Sequence, residues 1–343
     1  MDPSFFNQKD RKKQNRLTPF HPSNMQPGVD VFTEHSDCPK GIKTAVVIGN
    51  FDGVHRGHLT LIKAAIASAE TRNLVPLVLT FSPHPGRFIA PEKAPPSLMT
   101  DDERLATFAR LGIRSVCLQN FNGKFSRTSP QHFVDQVLME DLGAQHVAVG
   151  FDFRFGYKRR GDIELLRSRF GIDGRTVYVQ EPVLADEQKI SSSEIRRNLL
   201  AGQPAEAAKL LGEYYSVQGL VQRGDARGRL LGFPTLNIKL PDKCLPLEGV
   251  YAGWIDHEGE RLAAVANLGG QPTFGEGERP RLEVHVLDAQ LPELYGTEVR
   301  FHFLERLRGL VRFEGPKALS AQLSLDTENA RRCCSGAVPL VVD

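Results

Sequence analysis

The sequence predicts an α/β domain with a doubly wound parallel sheet, followed by an antiparallel β-barrel domain that ends in a helix. Three observations lead to this prediction. The chain has 343 residues, which exceeds the usual size of one domain. Its first half alternates short, almost wholly apolar strands with helical segments, as parallel sheets covered on both faces do. Its second half has short segments of period two, separated by Gly- and Pro-rich turns.

The chain is expected to divide into five segments. Residues 1–43 are polar, rich in Pro and Asn, and contain a basic cluster, which predicts a disordered extension. The α/β domain is expected over residues 44–200 and the barrel domain over residues 214–332. A linker with a Gly-Gln-Pro turn, residues 201–213, joins them, and residues 333–343 form a tail.

In the α/β domain, apolar strands alternate with helical segments. The strands are TAVVIG, LVPLVLTF, SVCLQ, HVAVGFDF and TVYVQEPVL, in this order along the chain. The helix after TAVVIG has Leu61, Ile62, Ala65 and Ile66 at helical spacing, and further helices are expected around DDERLATFARLG and SPQHFVDQVLMEDLG. Right-handed crossovers between such strands place ligand sites at their carboxyl ends.

Past Ile190 the pattern changes from the α/β type to the barrel type. SSSEIRRNLLAGQPAEAAKLLG predicts a capped helix, a turn and a second short helix. From Tyr214 the hydrophobic period becomes two, in YSVQGLVQ, GVYAGWID, LAAVANLG, RLEVHVLDA and TEVRFHFLER. Repeated short strands of this kind predict an antiparallel barrel, and a final helix near residues 316–332 is expected to cover it.

Composition narrows the class of function. Hydrophobic residues make up 41% and charged residues 24% of the chain, as in ordinary globular proteins, and no apolar run approaches the roughly 20 residues that cross a bilayer. The net charge of +2 argues against a dedicated nucleic-acid binder. Five scattered cysteines without a CxxC pair predict reduced thiols, although a minor redox role of the adjacent Cys333 and Cys334 stays open. We therefore expect a cytoplasmic protein with small-molecule partners, no nucleic-acid or membrane partner, and a monomeric or weakly homo-oligomeric state.

The stretch GNFDGVHRGH contains the first candidate site. The strand ends at Gly49, and Gly53 and Gly57 remove side chains where backbone approaches a ligand. His55 and His58 stand at positions i and i+3 in the first turn of a helix, whose free N–H groups bind anions. Two imidazoles there predict a triphosphate site, while a purely structural pair and the start of a metal site stay open.

Three more stretches in the same domain are candidates for ligand binding. KISSSEIRRNL puts three hydroxyls at a helix start and two arginines one turn later, which is more than capping requires. In GFDFRFGYKRRGD, Asp152 stands at the carboxyl end of a strand. FSPHP also follows a strand, and it either lines a planar ligand or simply forms a turn.

These four motifs, in this order, resemble the nucleotidyltransferase module of bacterial bifunctional riboflavin kinase/FAD synthetases. The resemblance implies a nucleotidyltransferase-type sheet that clamps the phosphates of ATP while FMN attacks the α-phosphorus. It implies that the catalytic His55 and His58 bind the triphosphate together with Ser191, Ser192 and Arg196. It further implies ATP contacts by Gly49, Asn50, Asp52 and Asp152, and flavin contacts by Phe81, Pro83, His84 and Pro85.

The barrel half contains a second candidate site. GDARGRLLGFPTLNI has three glycines with arginines between them, a weak signal for a phosphate loop. Thr235 and Asn237 are two apart on an extended segment, so both offer oxygens to a hard cation from one side. In RLEVHVLDA, Glu283 and His285 lie on the face opposite Leu282. A carboxylate that faces inward there would be costly unless it were paired or acted as a base, and a solvated sheet face stays equally open.

The motifs of this half, GDARGRLLGFPTLN, GVYAGW, NLGGQPTFG, EVHVLD and ELYG, resemble the riboflavin kinase barrel of the same family. The resemblance implies Mg²⁺ held through Thr235 and Asn237, and Glu283 as the base that takes the proton of the ribityl 5′-hydroxyl. It also implies ATP contacts by Gly228, Arg229, Gly232, Thr235 and Asn237. Two departures, Leu236 in place of Ala and Ala289 in place of an aromatic residue, leave these groups intact.

The expected protein is thus a bifunctional transferase that uses ATP twice, with Mg²⁺ as cofactor and riboflavin, FMN and FAD as flavin ligands. It would phosphorylate riboflavin to FMN and then adenylylate FMN to FAD with release of pyrophosphate. The alternatives are a single-function enzyme, foremost a kinase, and a flavin- or nucleotide-sensing protein without catalysis. The resemblance spans roughly residues 44–331.

Overall fold

The structure, a computed structural model, describes residues 28–185, 188–224, 232–269, 280–289 and 291–337. Its first domain is a six-stranded parallel sheet with the strand order β1-β4-β3-β2-β5-β6. The strands are β1 Asp30–Phe32, β2 Thr44–Ile48, β3 Val75–Ser82, β4 Ser115–Asn120, β5 Ala144–Gly150 and β6 Thr176–Gln180. The chain proceeds from β2 through β3 to β4 in one direction and then adds β5 and β6 on the other side of β2. This reversal confirms the predicted doubly wound sheet.

Helices cover both faces of this sheet. They are α1 Arg56–Arg72, α2 Pro85–Ile89, α3 Asp101–Arg110, α4 Pro130–His132 with π-helical turns over Phe133–Asp141, α5 Ile163–Phe170, α6 Ser192–Leu200 and, next along the chain, α7 Pro204–Leu211. A short hairpin, β7 Leu184–Ala185 and β8 Gln188–Lys189, precedes α6. Alternate residues of β2 enter opposite cores: Val47 is buried with Ile62 and Phe108, whereas Val46 is buried with Phe170. Burial on both faces explains why these strands are almost wholly apolar.

The segment before β2 differs from the predicted extension over residues 1–43. β1 lies at the edge of the sheet and pairs in parallel with β4, with Asp30 opposite Ser115. Lys40 donates to the carboxylate of Asp141 at 2.6 Å. The prediction is therefore wrong for residues 28–43, which belong to the α/β domain, and residues 1–27 lie outside the described residues.

The second domain is a closed barrel with the strand order β10-β13-β12-β11-β14-β9. Its strands, antiparallel in each described pair, are β9 Ser216–Gln222, β10 Leu236–Ile238, β11 Gly249–His257, β12 Glu260–Gly269, β13 Arg281–Val286 and β14 Glu298–Arg308. Helix α8, Pro316–Gly336, contacts β11, β12 and β14. The predicted barrel and its covering helix are confirmed, although the helix ends at Gly336 rather than near residue 332. No helix in the described part of the chain is both long and apolar enough to cross a membrane.

The two domains share one continuous core. Residues 201–213, predicted as a linker, contain α7, whose Leu211 belongs to the same buried cluster as Leu98 of the α/β domain and Tyr251 of the barrel. The hydroxyl of Tyr215 donates to the carbonyl of Leu98 at 3.0 Å. The connection between the domains is therefore a packed helix.

Candidate active sites

A cleft of about 750 Å³ opens at the carboxyl ends of β2 and β5, where the direction of strand addition reverses. Its lining includes the loop from β2 into α1, the loop after β5 and the start of α6. Every residue predicted to contact ATP in the first domain lines this cleft, namely Gly49, Asn50, Asp52, His55, His58, Asp152, Ser191, Ser192 and Arg196. The fold thus brings together stretches that are far apart in the sequence.

The two histidines form a stacked pair at the start of α1. His55 is the N-cap residue, and its Nδ1 accepts a hydrogen bond from the backbone N–H of His58 at 3.3 Å. The ring centroids lie 3.7 Å apart, and Phe51 packs edge-on against His58. Gly57 permits this arrangement, since a Cβ there would lie 3.2 Å from the His55 ring. The pair therefore borders the cleft at a helix N-terminus, the end of a helix that attracts anions.

Both imidazoles are neutral near pH 7. Burial lowers the pKa of His55 to about 4 and lowers the pKa of His58 well below its usual value. Because Nδ1 of His55 accepts a hydrogen bond, the proton of this neutral ring is on Nε2. Nδ1 of His58 is buried and has no hydrogen-bond partner among the described residues. The pair can thus offer hydrogen bonds to a bound phosphate without holding a permanent positive charge.

The lowered pKa of His55 predicts a specific loss of stability in acid. Between pH 6.5 and about 4, His55 is protonated in the unfolded chain but stays neutral in the folded protein. The free energy of unfolding therefore falls as the pH drops through this range. At the lower end this loss amounts to about 3 kcal/mol. Denaturant titrations from pH 7 to 4 should give a flatter pH profile for His55→Asn, in which the asparagine keeps an N-cap acceptor. Parallel profiles for wild type and variant would contradict the assignment.

A metal site at the histidine pair would need further ligands. Across the described ranges, no group of three or more His, Cys, Asp or Glu side chains could hold a metal ion.

Asp52 and Arg196, both predicted to contact ATP, form a buried ion pair with each other. Nε of Arg196 also donates to the carbonyl of Pro96 at 2.7 Å. The other carboxylate oxygen of Asp52 accepts from the backbone N–H groups of Leu98 and Met99 at 2.7 and 3.3 Å. The pair thus joins the phosphate cleft to the segment before α3, and much of its hydrogen-bonding capacity is already used within the protein.

The serines at the start of α6 connect this helix to the histidine loop. Ser191 is the N-cap residue and accepts from the backbone N–H of Glu194 at 3.3 Å. The hydroxyl of Ser192 donates to the carbonyl of Asp52 at 2.7 Å. Asp152 lies at the mouth of the cleft, 3.0 Å from the ammonium group of Lys189. The N-termini of α1 and α6 therefore border the same cleft.

The FSPHP stretch lies at the carboxyl end of β3, beside the phosphate cleft. His84 caps α2 by accepting from the backbone N–H of Gly86 at 3.1 Å, and burial lowers the pKa of its ring. A second cavity of about 640 Å³ adjoins the cleft, with His84 in both walls. The four predicted flavin contacts divide between them: Phe81, His84 and Pro85 line the cleft, and Pro83 and His84 line the second cavity.

Two aromatic residues that the sequence did not single out complete this region. Phe121 and Phe125 lie 5.9 and 6.0 Å from the ring of Phe81, and all three rings line the cleft. They belong to the stretch FNGKF, which directly follows strand β4 at the same edge of the sheet. This position after a parallel strand is the signal that could have identified them.

In the barrel, Asn237 and Glu283 lie side by side. They are directly paired across β10 and β13, and Glu283 is paired in turn with Asn267 of β12. Their neighbours Ile238 and Leu282 are buried in the barrel interior, so the Asn237–Glu283 pair faces the outside. The inward orientation considered for Glu283 is therefore wrong, and its side chain is half-buried on the outer face.

Gly224, two residues after the end of β9, approaches this pair closely. A Cβ on Gly224 would lie 2.1 Å from the Asn237 amide, so a larger residue there would displace this amide. His285 lies beside Pro234, with Nδ1 2.8 Å from the carbonyl oxygen, and thereby holds the chain next to Thr235. Gly232 is described and exposed, whereas the predicted ATP contacts Gly228 and Arg229 lie outside the described residues.

Comparison with known proteins gives the same division of the chain into two parts. Residues 39–194 match the family described as FAD synthetase, and residues 211–334 match riboflavin kinase. Bifunctional riboflavin kinase/FMN adenylyltransferases from Bacillus subtilis strain 168 and Escherichia coli strain K12 are 36% and 37% identical over 84% and 83% of this chain. These alignments cover 92% and 91% of the relatives. The match therefore includes both parts of the chain and nearly the whole of each relative.

A solved structure agrees on the fold. The crystal structure titled as a macrolide-efflux protein from Streptococcus pneumoniae superposes with a TM-score of 0.81 at 30% identity, over 89% of this chain and 99% of that one. A further bifunctional relative, from Pseudomonas fluorescens, is 35% identical over 87% of this chain and 93% of its own length. This chain belongs to the bifunctional riboflavin kinase/FMN adenylyltransferase family, and it phosphorylates riboflavin to FMN and adenylylates FMN to FAD at the expense of ATP.

Proposed function

We propose that FMN is adenylylated in the cleft between β2 and β5. The phosphate of FMN attacks the α-phosphorus of ATP, the bond from this phosphorus to the bridging oxygen breaks, and pyrophosphate leaves. No protein nucleophile is required, so the chain contributes orientation and charge stabilisation. The observation that supports this most strongly is the stacked, neutral His55–His58 pair at the N-terminus of α1, which places donors beside an anion-binding helix end.

Ser191 and Ser192 provide the opposite wall of the proposed phosphate site. The N-terminus of α6 begins there and offers backbone N–H groups to the same anion. Arg196 and Asp52 are engaged with each other, so we assign them to holding the two loops in place. Removal of either partner would leave the other as an unpaired buried charge and would displace the loops that form the cleft.

The flavin ring of FMN is proposed to lie against Phe81, Phe121 and Phe125. These rings border the cleft beside FSPHP, and an aromatic cluster offers a planar heterocycle stacking and edge contacts. A flavin placed there would direct its phosphate toward the two histidines across the same cleft. The expected flavin contacts of Pro83, His84 and Pro85 are part of this proposal.

Riboflavin phosphorylation is proposed to take place on the outer face of the barrel, at Thr235, Asn237 and Glu283. The carboxylate of Glu283 takes the proton of the ribityl 5′-hydroxyl. The hydroxyl oxygen attacks the γ-phosphorus of ATP, and ADP leaves. The direct pairing of Glu283 with Asn237 supports this, because it places a base next to an amide that can hold the nucleotide.

The donors of this barrel site suit Mg²⁺. The hydroxyl of Thr235 and the amide oxygen of Asn237 are hard oxygen ligands, and Mg²⁺ is typically bound by few protein ligands together with substrate phosphates. Gly224 leaves space against Asn237 that a larger residue would fill. Thr235 and Asn237 would hold the ion, and the chemistry it would supply is neutralisation of the negative charge that develops on the phosphates during transfer.

Chromatography of the flavins tests the proposed placement of the two reactions. Wild-type protein incubated with riboflavin and MgATP yields FAD. A variant with a substitution in the cleft should accumulate FMN, whereas a variant with a substitution at the barrel site should leave riboflavin unchanged. Accumulation of FMN by a variant with a substitution at the barrel site would contradict the placement of riboflavin phosphorylation there.

The proposed boundary between the α/β domain and the barrel domain, within residues 201–213, predicts how a fragment behaves. A fragment over residues 201–343 keeps α7 on the barrel and should phosphorylate riboflavin on its own. A fragment over 214–343 loses the buried Leu210 and Leu211, which together contribute about 3–6 kcal/mol. Thermal melts of both fragments should therefore differ strongly. An inactive 201–343 fragment that is folded by circular dichroism would contradict an autonomous kinase domain.

The predicted cytoplasmic location, the monomeric or weakly homo-oligomeric state, and the lack of a nucleic-acid partner are also part of this proposal. The near-neutral charge balance supports the last of these. Sedimentation over a range of protein concentrations would measure the oligomeric state.

A further inference from the structure

A lysine of the barrel domain is buried against the first turn of helix α3 in the α/β domain. The side chain of Lys243, in the loop between β10 and β11, is 2% exposed. Its ammonium group donates to both carboxylate oxygens of Glu103 at 2.8 and 2.9 Å and to the carbonyl of Ser216 at 2.9 Å. An ammonium group has three donors, and these contacts use all of them. Lys243 therefore has an interaction that only the folded two-domain chain provides.

Glu103 is the residue through which this contact reaches α3. It completes a capping box, because its carboxylate accepts from the backbone N–H of Thr100 at 2.8 Å while the Thr100 hydroxyl accepts from the N–H of Glu103 at 3.2 Å. The same carboxylate thus fixes the start of α3 and neutralises Lys243. Loss of the lysine would leave this carboxylate buried without a cation.

The first turn of α3 in turn holds the loops that form the adenylylation cleft. Arg104, next to Glu103, donates to the carbonyl of Asn50 at 2.7 Å and to the carbonyl of Phe81 at 3.0 Å. The segment that leads into α3 provides the backbone N–H groups that hold Asp52, the partner of Arg196. A chain of contacts therefore runs from the barrel to both walls of the cleft.

From this geometry we infer that Lys243 of the barrel domain is a positioning residue for FMN adenylylation in the other domain. It touches no substrate and acts through Glu103 and α3. The inference rests on the proposed assignment of the cleft to adenylylation. It implies that the adenylylation site reaches its full activity only when the barrel is docked, whereas the kinase site does not depend on this contact.

The test compares Lys243→Met, Glu103→Gln and the double variant in the full-length chain. In Lys243→Met we expect kcat for FMN adenylylation to fall about tenfold, with the KM of ATP within about twofold, because orientation is lost rather than binding. Riboflavin phosphorylation should stay within about twofold of wild type. The double variant should recover most of the lost kcat, since a neutral glutamine keeps the cap without a buried charge.

Glu213→Gln is the matched control, because Glu213 pairs with Arg110 of the same helix α3 across an exposed 3.5 Å contact, and it should change neither activity. Normal adenylylation by a folded Lys243→Met protein would overturn the inference, as would a double variant no better than Lys243→Met or an equal loss of both activities. If His58→Ala slows FAD synthesis about 10²–10³-fold while Lys243→Met makes FAD at the wild-type rate, the inference fails and the proposed cleft stands. If both variants make FAD normally, the cleft assignment itself is wrong.

Discussion

His58→Ala protein is expected to make FAD from FMN and ATP about 10²–10³-fold more slowly than wild type, or about 3–4 kcal/mol in transition-state stabilisation. The substitution removes one donor from the cleft but leaves the N-terminus of α1 and the capping His55 in place. If the donor acts mainly on charge that builds up in the transition state, kcat falls far more than the affinity for ATP. Steady-state kinetics with FMN as substrate would measure both quantities.

Two comparisons make this result specific. Riboflavin phosphorylation by His58→Ala should match wild type, because its proposed site is in the barrel. His132→Ala, at an exposed position on α4, should leave both activities unchanged. A folded His58→Ala protein that adenylylates FMN at the normal rate would contradict the role of the histidine pair.

The second large effect is expected for Glu283→Gln, which should abolish the formation of FMN. The amide cannot accept the proton of the ribityl hydroxyl, and loss of a general base typically costs about 10²–10⁴ in rate. Because the substitution preserves size and lies on the outer, half-buried face of β13, the barrel should stay folded. Adenylylation of supplied FMN should continue at the wild-type rate.

Glu298→Gln offers a control at an exposed glutamate of the same barrel, and it should phosphorylate riboflavin normally. Unimpaired kinase activity in Glu283→Gln would exclude the carboxylate as the base. Equal loss of both activities in folded Glu283→Gln protein would argue against two separate sites.

The order of strands and helices is predictable because burial determines the hydrophobic period. β2 is apolar at every position since it is covered on both faces, while β13 alternates because only one of its faces lies in the barrel interior. The histidine pair is likewise recognisable, since an i,i+3 spacing after a strand specifies both the helix and its exposed end.

Other features depend on contacts that local sequence does not encode. β1 has only three residues, which is too short for a periodic signal, and it becomes a strand by pairing with β4. Asp52 and Arg196 are 144 positions apart, so the sequence suggests two phosphate ligands where the fold forms an internal ion pair. The contact between Glu103 and Lys243 spans 140 positions and two domains, and the sequence of either segment gives no sign of it.

The most direct test of two separate sites is complementation between single-site variants. His58→Ala protein supplied with riboflavin and MgATP should accumulate FMN, and Glu283→Gln protein should leave riboflavin unchanged. An equimolar mixture should form FAD, because FMN released by the first protein is adenylylated by the second. Chromatographic detection of FAD in the mixture, with little or none in either separate reaction, is the predicted result. A mixture that forms no more FAD than its components would contradict the assignment of the two reactions to the cleft and the barrel.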